Sequence, residues 1–212
     1  MLDIYSLETL KKRKLSQVDS STIIGVCGSI KPAPGYDSKS AARSFMSYAL
    51  NSLNQVYENI VIIDLRDYAI PLFSGQTISE LNDSSLNQIN DALNKCGAVL
   101  FAIPVYWSGV SGVFKNFIDV FCGPSYDLPN GRDSTIFFKK HCGLIVISAD
   151  YESATWGCEN AIKIVNSIGM KQVDDPVLIA NPRQNNYNAT TTSNKLIELC
   201  GRLAQAVLKN TK

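Results

Sequence analysis

The sequence predicts a doubly wound α/β domain on a five-stranded parallel sheet, and three features of the chain point to it. From residue 22 onward, short apolar runs alternate with segments whose apolar residues recur at helical spacing. The third run, 98–103, is apolar at every position, as a strand covered on both faces must be. No internal repeat, low-complexity tract or linker divides the chain, so the alternation belongs to one domain.

Residues 1–20 precede the first strand and read as an N-terminal arm, which leaves 21–212 as the domain. In the arm, Ile4, Leu7 and Leu10 share a helical stripe ahead of the basic run Lys11, Lys12, Arg13 and Lys14. That pattern suits either a solvated helix or an arm laid across a partner subunit. Strand one is expected at 22–27. The first helix, 38–53, carries Ala42, Phe45, Met46, Ala49, Leu50 and Leu53 on its inner face. Strand two spans 60–65 and is followed by a helix at 82–95 with Leu86, Ile89 and Leu93 on one side. Strand three, 98–103, leads to a helix at 111–121, and strand four, 143–148, to a helix at 154–168 that stops at Gly169. Strand five lies at 173–179. The last helix, 193–208, turns Leu196, Leu199, Cys200, Leu203 and Val207 toward the sheet.

Composition narrows the function classes. The chain has 212 residues, 45% hydrophobic and 18% charged, a globular balance. Twenty basic residues face 19 acidic ones, a net charge of +1, so no overall field draws the protein to nucleic acid. Six cysteines occur without C-x-x-C spacing, which argues against a zinc site or disulfide framework. Buried thiols in a reducing compartment are expected instead. With no secretory signal and no membrane-length apolar segment, the expected location is the cytoplasm. The partners expected are small molecules and other protein chains, with no membrane and no metal.

In such sheets ligands bind beyond the carboxyl ends of the strands, where the strand order reverses. For the order 2-1-3-4-5 that point lies between strands one and three, so loops 28–40 and 104–111 meet there. The first loop offers a turn at Gly28, hydroxyls at Ser29, Ser38 and Ser40, and a cation at Lys31. Together with the unpaired N–H groups of the following helix, these suit a phosphate. The plainer reading is a capped helix behind a proline-stiffened loop. No G-x-x-x-x-G-K-[ST] or G-x-G-x-x-G motif is present, which argues against a nucleoside triphosphate or Rossmann dinucleotide site. In the second loop Pro104, Val105, Tyr106 and Trp107 end a buried strand and suit the border of a flat ligand. Gly109 and Gly112 permit close backbone approach. The same aromatics also suit a dimer surface.

Together the loops resemble the NAD(P)H-dependent FMN reductase family, a flavodoxin-like group of flavin, quinone, azo and chromate reductases. The resemblance rests on Gly28, Ser29, Lys31, Ser38 and Ser40, and on Pro104, Tyr106, Ser111, Gly112, Lys115, Asn116 and Asp119. It implies a flavodoxin-like fold with bound FMN, and NADPH or NADH as co-substrate. Ser29, Lys31, Ser38 and Ser40 would then bind the phosphate, and Pro104, Val105, Tyr106 and Trp107 would line the ring. Lys115, Asn116 and Asp119 are expected to serve packing and interfaces. Backbone amides near Trp107, Gly109, Ala149 and Asp150 would stabilise charge on the reduced ring. No side chain is assigned as catalytic, because the flavin carries the chemistry.

The expected activity is hydride transfer from a nicotinamide to FMN and onward to a flavin, quinone or similar acceptor. A flavoenzyme for one dedicated metabolite and a flavodoxin-type electron carrier are the alternatives. Near-neutral charge speaks against a carrier that docks on basic partners. The stretch Gly109, Val110, Ser111, Gly112 falls one residue short of G-x-S-x-G, and the sole histidine, His141, begins strand four on the far side, so hydrolysis is disfavoured. A homodimer or tetramer is expected from the resemblance, the arm and the aromatics.

Overall fold

Runs of Ile, Val and Leu become the strands, as a doubly covered pleated sheet demands. In the computed structural model, residues 14–31, 40–182 and 189–210 are described. Strand β1 is Ile23–Cys27, β2 is Ile60–Asp64, and β3 is Ala98–Tyr106. Strand β4 is Gly109–Val110, β5 is His141–Ser148, β6 is Lys171–Gln172, and β7 is Val177–Ala180. The helices are α1 Ala41–Asn54, α2 Ile78–Leu81, α3 Ser84–Lys95, α4 Gly112–Cys122, α5 Tyr151–Ser167 and α6 Ala189–Asn210.

The sheet runs β2-β1-β3-β5, with β6 and β7 both paired to β5 and all of these strands parallel. With β5 fourth and β7 fifth, this is the order 2-1-3-4-5 expected of the flavodoxin-like arrangement. Alternate residues of each strand feed two cores. Ile24, Val26, Phe101 and Ile103 face α3, α4 and α5, where Ile89, Phe117 and Val165 meet them. Ile23, Leu100 and Ile145 face α1 and α6, where Met46, Leu50 and Leu203 lie. The strand period of two thus supplies helices to both faces.

Several boundaries differ from the expected ones for local reasons. The fifth strand is not continuous over 173–179: Val173, Asp174, Asp175 and Pro176 separate β6 from β7, and proline has no ladder donor to give. Strand β3 runs on to Tyr106 because Gly109 and Val110 fold back on it as a hairpin. Helix α5 starts at Tyr151 rather than 154, since the Asp150 carboxylate caps the Ser153 N–H at 2.7 Å. Helix α2 was not expected, although Thr77 and Glu80 form a reciprocal capping box.

Two peripheral segments reach the core. The turn Leu15–Gln17 lies against α3, and Leu15 and Val18 join its cluster. The long connection after α4 inserts Phe137, wholly buried, edge-on to Phe101 with ring centroids 6.1 Å apart.

Candidate active site

Helices α1 and α4 leave the neighbouring strands β1 and β3 toward opposite faces, so a crevice opens between their loops. A cavity of 340 Å³ occupies it, within the range of about 300–1,000 Å³ usual for small-molecule sites. Ser29, Lys31 and Ser40 border its polar end. Pro104, Val105 and Tyr106 from β3, with Ile147 and Ala149 at the end of β5, form the flatter apolar wall.

At the polar end the Ser40 hydroxyl donates to the Ser29 hydroxyl at 2.8 Å, and the Lys31 N–H donates to the same oxygen at 3.3 Å. Ser40 also caps α1 by accepting from the Arg43 N–H at 3.4 Å. The hydroxyl hydrogen of Ser29, a buried residue, is left without an acceptor among the described residues. The Ala41 and Ala42 N–H groups have no acceptor within the helix, and both residues border the cavity. Lys31 is the charged member of the wall among the described residues, its Nζ 4.9 Å from the Tyr106 ring centroid. Helix dipole, hydroxyls and lysine converge on one end. That is a cradle for a dianion.

Behind the cradle stands Arg43. Its Nε and Nη2 donate to the two oxygens of Asp64, the last residue of β2, at 2.6 and 2.9 Å. Its Nη1 donates to the Lys31 carbonyl at 2.6 Å, and Nη2 also to the Ser29 carbonyl at 3.0 Å. Burial works most strongly against this charge, but the hydrogen-bonded Asp64 carboxylate together with the neighbouring Cys27 and Asp67 raises the Arg43 pKa above the usual arginine value. Burial first, and then Asp64, pushes the nearby Cys27 thiol up to about 12.

The two loops are tied together at Gly28. Its N–H donates to Ala102 at 2.9 Å, and its carbonyl accepts from the Ser111 hydroxyl at 2.8 Å. A methyl here would stand 3.2 Å from both the Ala102 carbonyl and Phe114 Cβ, so glycine permits the approach. On the other side Asn181, at φ 51°, gives its N–H to the Ser148 carbonyl at 3.1 Å and closes the wall beyond β7.

Seven of the residues singled out by sequence therefore share one cavity: Ser29, Lys31, Ser40, Pro104, Val105, Tyr106 and Ala149. Ser38 lies outside the described residues. Trp107 and Ser108 form the hairpin turn between β3 and β4 with φ of 51° and 63°. Trp107 is fully exposed, and with Gly109 it borders a separate shallow cleft beside Trp156 and Lys163. Asp150 serves as the α5 cap, and its bonds from Ser153 hold its carboxyl below the usual range. Asn116 straps the segment after β2, donating to the Pro71 carbonyl at 2.8 Å and accepting from the Phe73 N–H at 3.0 Å. Lys115 and Asp119 pair with each other on α4 at 2.6 Å. His141 opens β5 opposite Ala98, at the amino end away from the cavity.

Sequence reasoning missed Arg43, Asp64 and Asn181. A signal existed for the first two: an arginine in a helix's first turn opposes the dipole, and an acid closing an apolar strand invites a partner. Among the described residues, no group of three or more His, Cys, Asp or Glu side chains is gathered to hold a metal ion. No described helix is long and apolar enough to cross a membrane.

An anion cradle at a helix start, joined to an apolar slot at the switch point, has the features of a mononucleotide site on a flavodoxin-like fold. Residues 21–184 match the family model described as NADPH-dependent FMN reductase, and the chain belongs to that family. It is an oxidoreductase that uses FMN with a reduced nicotinamide nucleotide. No curated protein matches the chain by sequence. Among solved structures it is similar to the apo form of an NADH:FMN oxidoreductase, EmoB, at 15% identity and TM-score 0.66, covering 87% of this chain and 89% of that one. FerB, the NAD(P)H:(acceptor) oxidoreductase of Paracoccus denitrificans, aligns at 16% identity and TM-score 0.62, covering 89% and 97%. An azoreductase of Bacillus anthracis aligns at 15% identity and TM-score 0.56, covering 86% and 98%. At these identities the likeness is one of fold.

The donor set fits FMN. The Ser29 hydroxyl, the first N–H groups of α1 and Lys31 match a terminal phosphate, and Pro104, Val105, Tyr106 and Ala149 match the flat ring.

Proposed function

We propose that the protein takes electrons from NADPH or NADH and passes them, in a ping-pong cycle, to a flavin, quinone or similar small oxidised acceptor. The observation that supports this most directly is one cavity with a phosphate-type cradle at one end and an open, apolar slot at the other. When bound, FMN supplies the redox chemistry, accepting a hydride from the nicotinamide and releasing the electrons to the second substrate. The chain's part is to hold and polarise. Ser29, Ser40, Lys31 and the start of α1 anchor the phosphate, while Pro104, Val105 and Tyr106 orient the ring. Backbone N–H groups near Ala149, in the cavity wall, would stabilise negative charge on a reduced ring.

The working form proposed is a homodimer or tetramer in the cytoplasm. Trp107, Trp156 and Tyr151 are exposed, the first two beside the second cleft, and six buried thiols suit a reducing compartment. Residues 1–20 are proposed as an arm on that assembly.

The purified protein is expected to be yellow, to gain thermal stability with added FMN, and to bleach anaerobically with NADPH or NADH. A colourless protein that FMN does not stabilise would defeat the flavin assignment for this cavity. FMN binding without bleaching by either nucleotide would leave a carrier or a flavoenzyme for one dedicated metabolite. Sedimentation with and without residues 1–20 tests the arm: unchanged mass removes it from the assembly.

A further inference from the structure

The Arg43 guanidinium raises a specific question, because a cation beside a phosphate cradle is expected to serve the phosphate. The geometry assigns it elsewhere. Arg43 is not part of the cavity wall, and its charge is already matched by both oxygens of Asp64. The two side chains are only 16% and 7% exposed, so the fork is held in a partly desolvated setting where its bidentate geometry counts. Of the three N–H donors that remain, two go to backbone carbonyls, those of Ser29 and Lys31.

Those carbonyls are the negative ends of the loop that receives the anion. Drawing them onto Arg43, off the cavity, removes two dipoles that would repel a phosphate. A trans peptide sets C=O and the next N–H in opposite directions, so fixing the Ser29 carbonyl also turns the Ile30 N–H away from the guanidinium. The Lys31 carbonyl precedes Pro32, which has no N–H, so its peptide group has only an acceptor to satisfy, and Arg43 satisfies it. Ser29 is then fixed twice, by Arg43 at its carbonyl and by Ser40 at its hydroxyl.

We propose that Arg43, locked onto Asp64, is the positioning residue of the phosphate cradle: it sets the Ser29 and Lys31 backbone and does not itself bind the phosphate. This rests on the reading that FMN's phosphate occupies the cradle. Asp64 acts through Arg43 and is a positioning residue in the same sense.

The test titrates apoprotein with FMN and with riboflavin, which lacks the phosphate, for wild type, Arg43→Lys and Asp64→Asn, following flavin fluorescence. Thermal melts of each apoprotein report folding. Wild type is expected to prefer FMN. Arg43→Lys keeps the charge but loses the fork, and is expected to weaken FMN about tenfold or more while riboflavin affinity stays within about twofold. Asp64→Asn frees Arg43 from its counter-charge and is expected to weaken FMN selectively as well. Tighter or unchanged FMN binding in Asp64→Asn would show that Arg43 acts by direct charge, and the proposal fails. Equal losses for FMN and riboflavin would reduce the pair to general stability, which also overturns it. Equal affinity of wild type for both ligands would instead defeat the cradle reading itself. If Arg43→Lys does not fold, Asp64→Asn carries the same comparison, because the two hypotheses give it opposite signs.

Discussion

Gly157 on α5 lies against Val105, the next-to-last residue of β3 and part of the cavity wall, so a single methyl at position 157 tests how packing sets the site. The added carbon of Gly157→Ala would stand 2.6 Å from Val105 Cγ1, 3.0 Å from its Cβ, and closer still to Cγ2. Carbon atoms pack at about 3.5–4.0 Å, so the helix or the strand must yield. Val105 cannot turn aside easily, being β-branched and buried in β3. Overpacking of this kind costs roughly 1–3 kcal/mol, and the rigid neighbour argues for the upper end. Alanine returns about 1 kcal/mol in helix propensity. The expected net loss is about 2 kcal/mol, which lowers Tm by roughly 4–8 °C in a chain of this size. Calorimetry measures it, and FMN titration is expected to show weaker binding because the cavity wall moves. The double variant Gly157→Ala/Val105→Ala removes the contacts to both Cγ atoms and is expected to be less destabilised than the sum of the single variants. If Gly157→Ala is as stable as wild type, or if the two changes add, the contact is not the constraint described.

Other expected outcomes follow the same reasoning. Ser47 is buried on α1 with no hydrogen-bond partner for its hydroxyl among the described residues, so Ser47→Ala is expected to stabilise by about 1 kcal/mol in urea denaturation. Ser111→Ala loses both the α4 cap and the bond to the Gly28 carbonyl, at a cost of about 1–2 kcal/mol and a measurable loss of FMN affinity. Burial, and then the Lys171 charge, holds the His141 pKa below its ordinary value. The folded state therefore binds fewer protons than the unfolded chain, so stability is fully present above about pH 6.5 and declines as pH falls toward the lowered value. His141→Asn is expected to flatten that decline in melts between pH 7 and pH 5. All six cysteines are free and buried, and burial raises their thiols, Cys142 and Cys200 to about 12 and Cys96 to about 11. A thiol reagent at pH 8 is expected to label the native protein slowly and all six positions once it is unfolded in urea.

The strands and helices were legible because each is a local statement. The run at 98–103 is apolar throughout and became the doubly covered centre of the sheet, while Leu86, Ile89 and Leu93 kept helical spacing and became the buried face of α3. The cavity was partly legible for a related reason. Hydroxyls and a glycine at one strand end and a proline with aromatics at another are unusual compositions, and the strand-order rule puts those two ends side by side. That reasoning stopped at chain ends and turns. Nothing in the order Pro104, Val105, Tyr106, Trp107 says that the hairpin closes after Tyr106. The cross-strand pairing of Tyr106 with Gly109 decides it, and with it that Tyr106 lines the cavity while Trp107 faces the second cleft.

By itself, the sequence determined the alternation of strand and helix and the two loops that border the cavity. These follow from periodicity and turn chemistry, which act over a few residues. Only the tertiary structure decided what stands behind the cradle. Arg43 and Asp64 are 21 positions apart in the chain, and they meet at 2.6 Å because β2 pairs beside β1 and α1 packs against β1. A contact of that kind depends on strand register and helix placement together, and no local pattern encodes either.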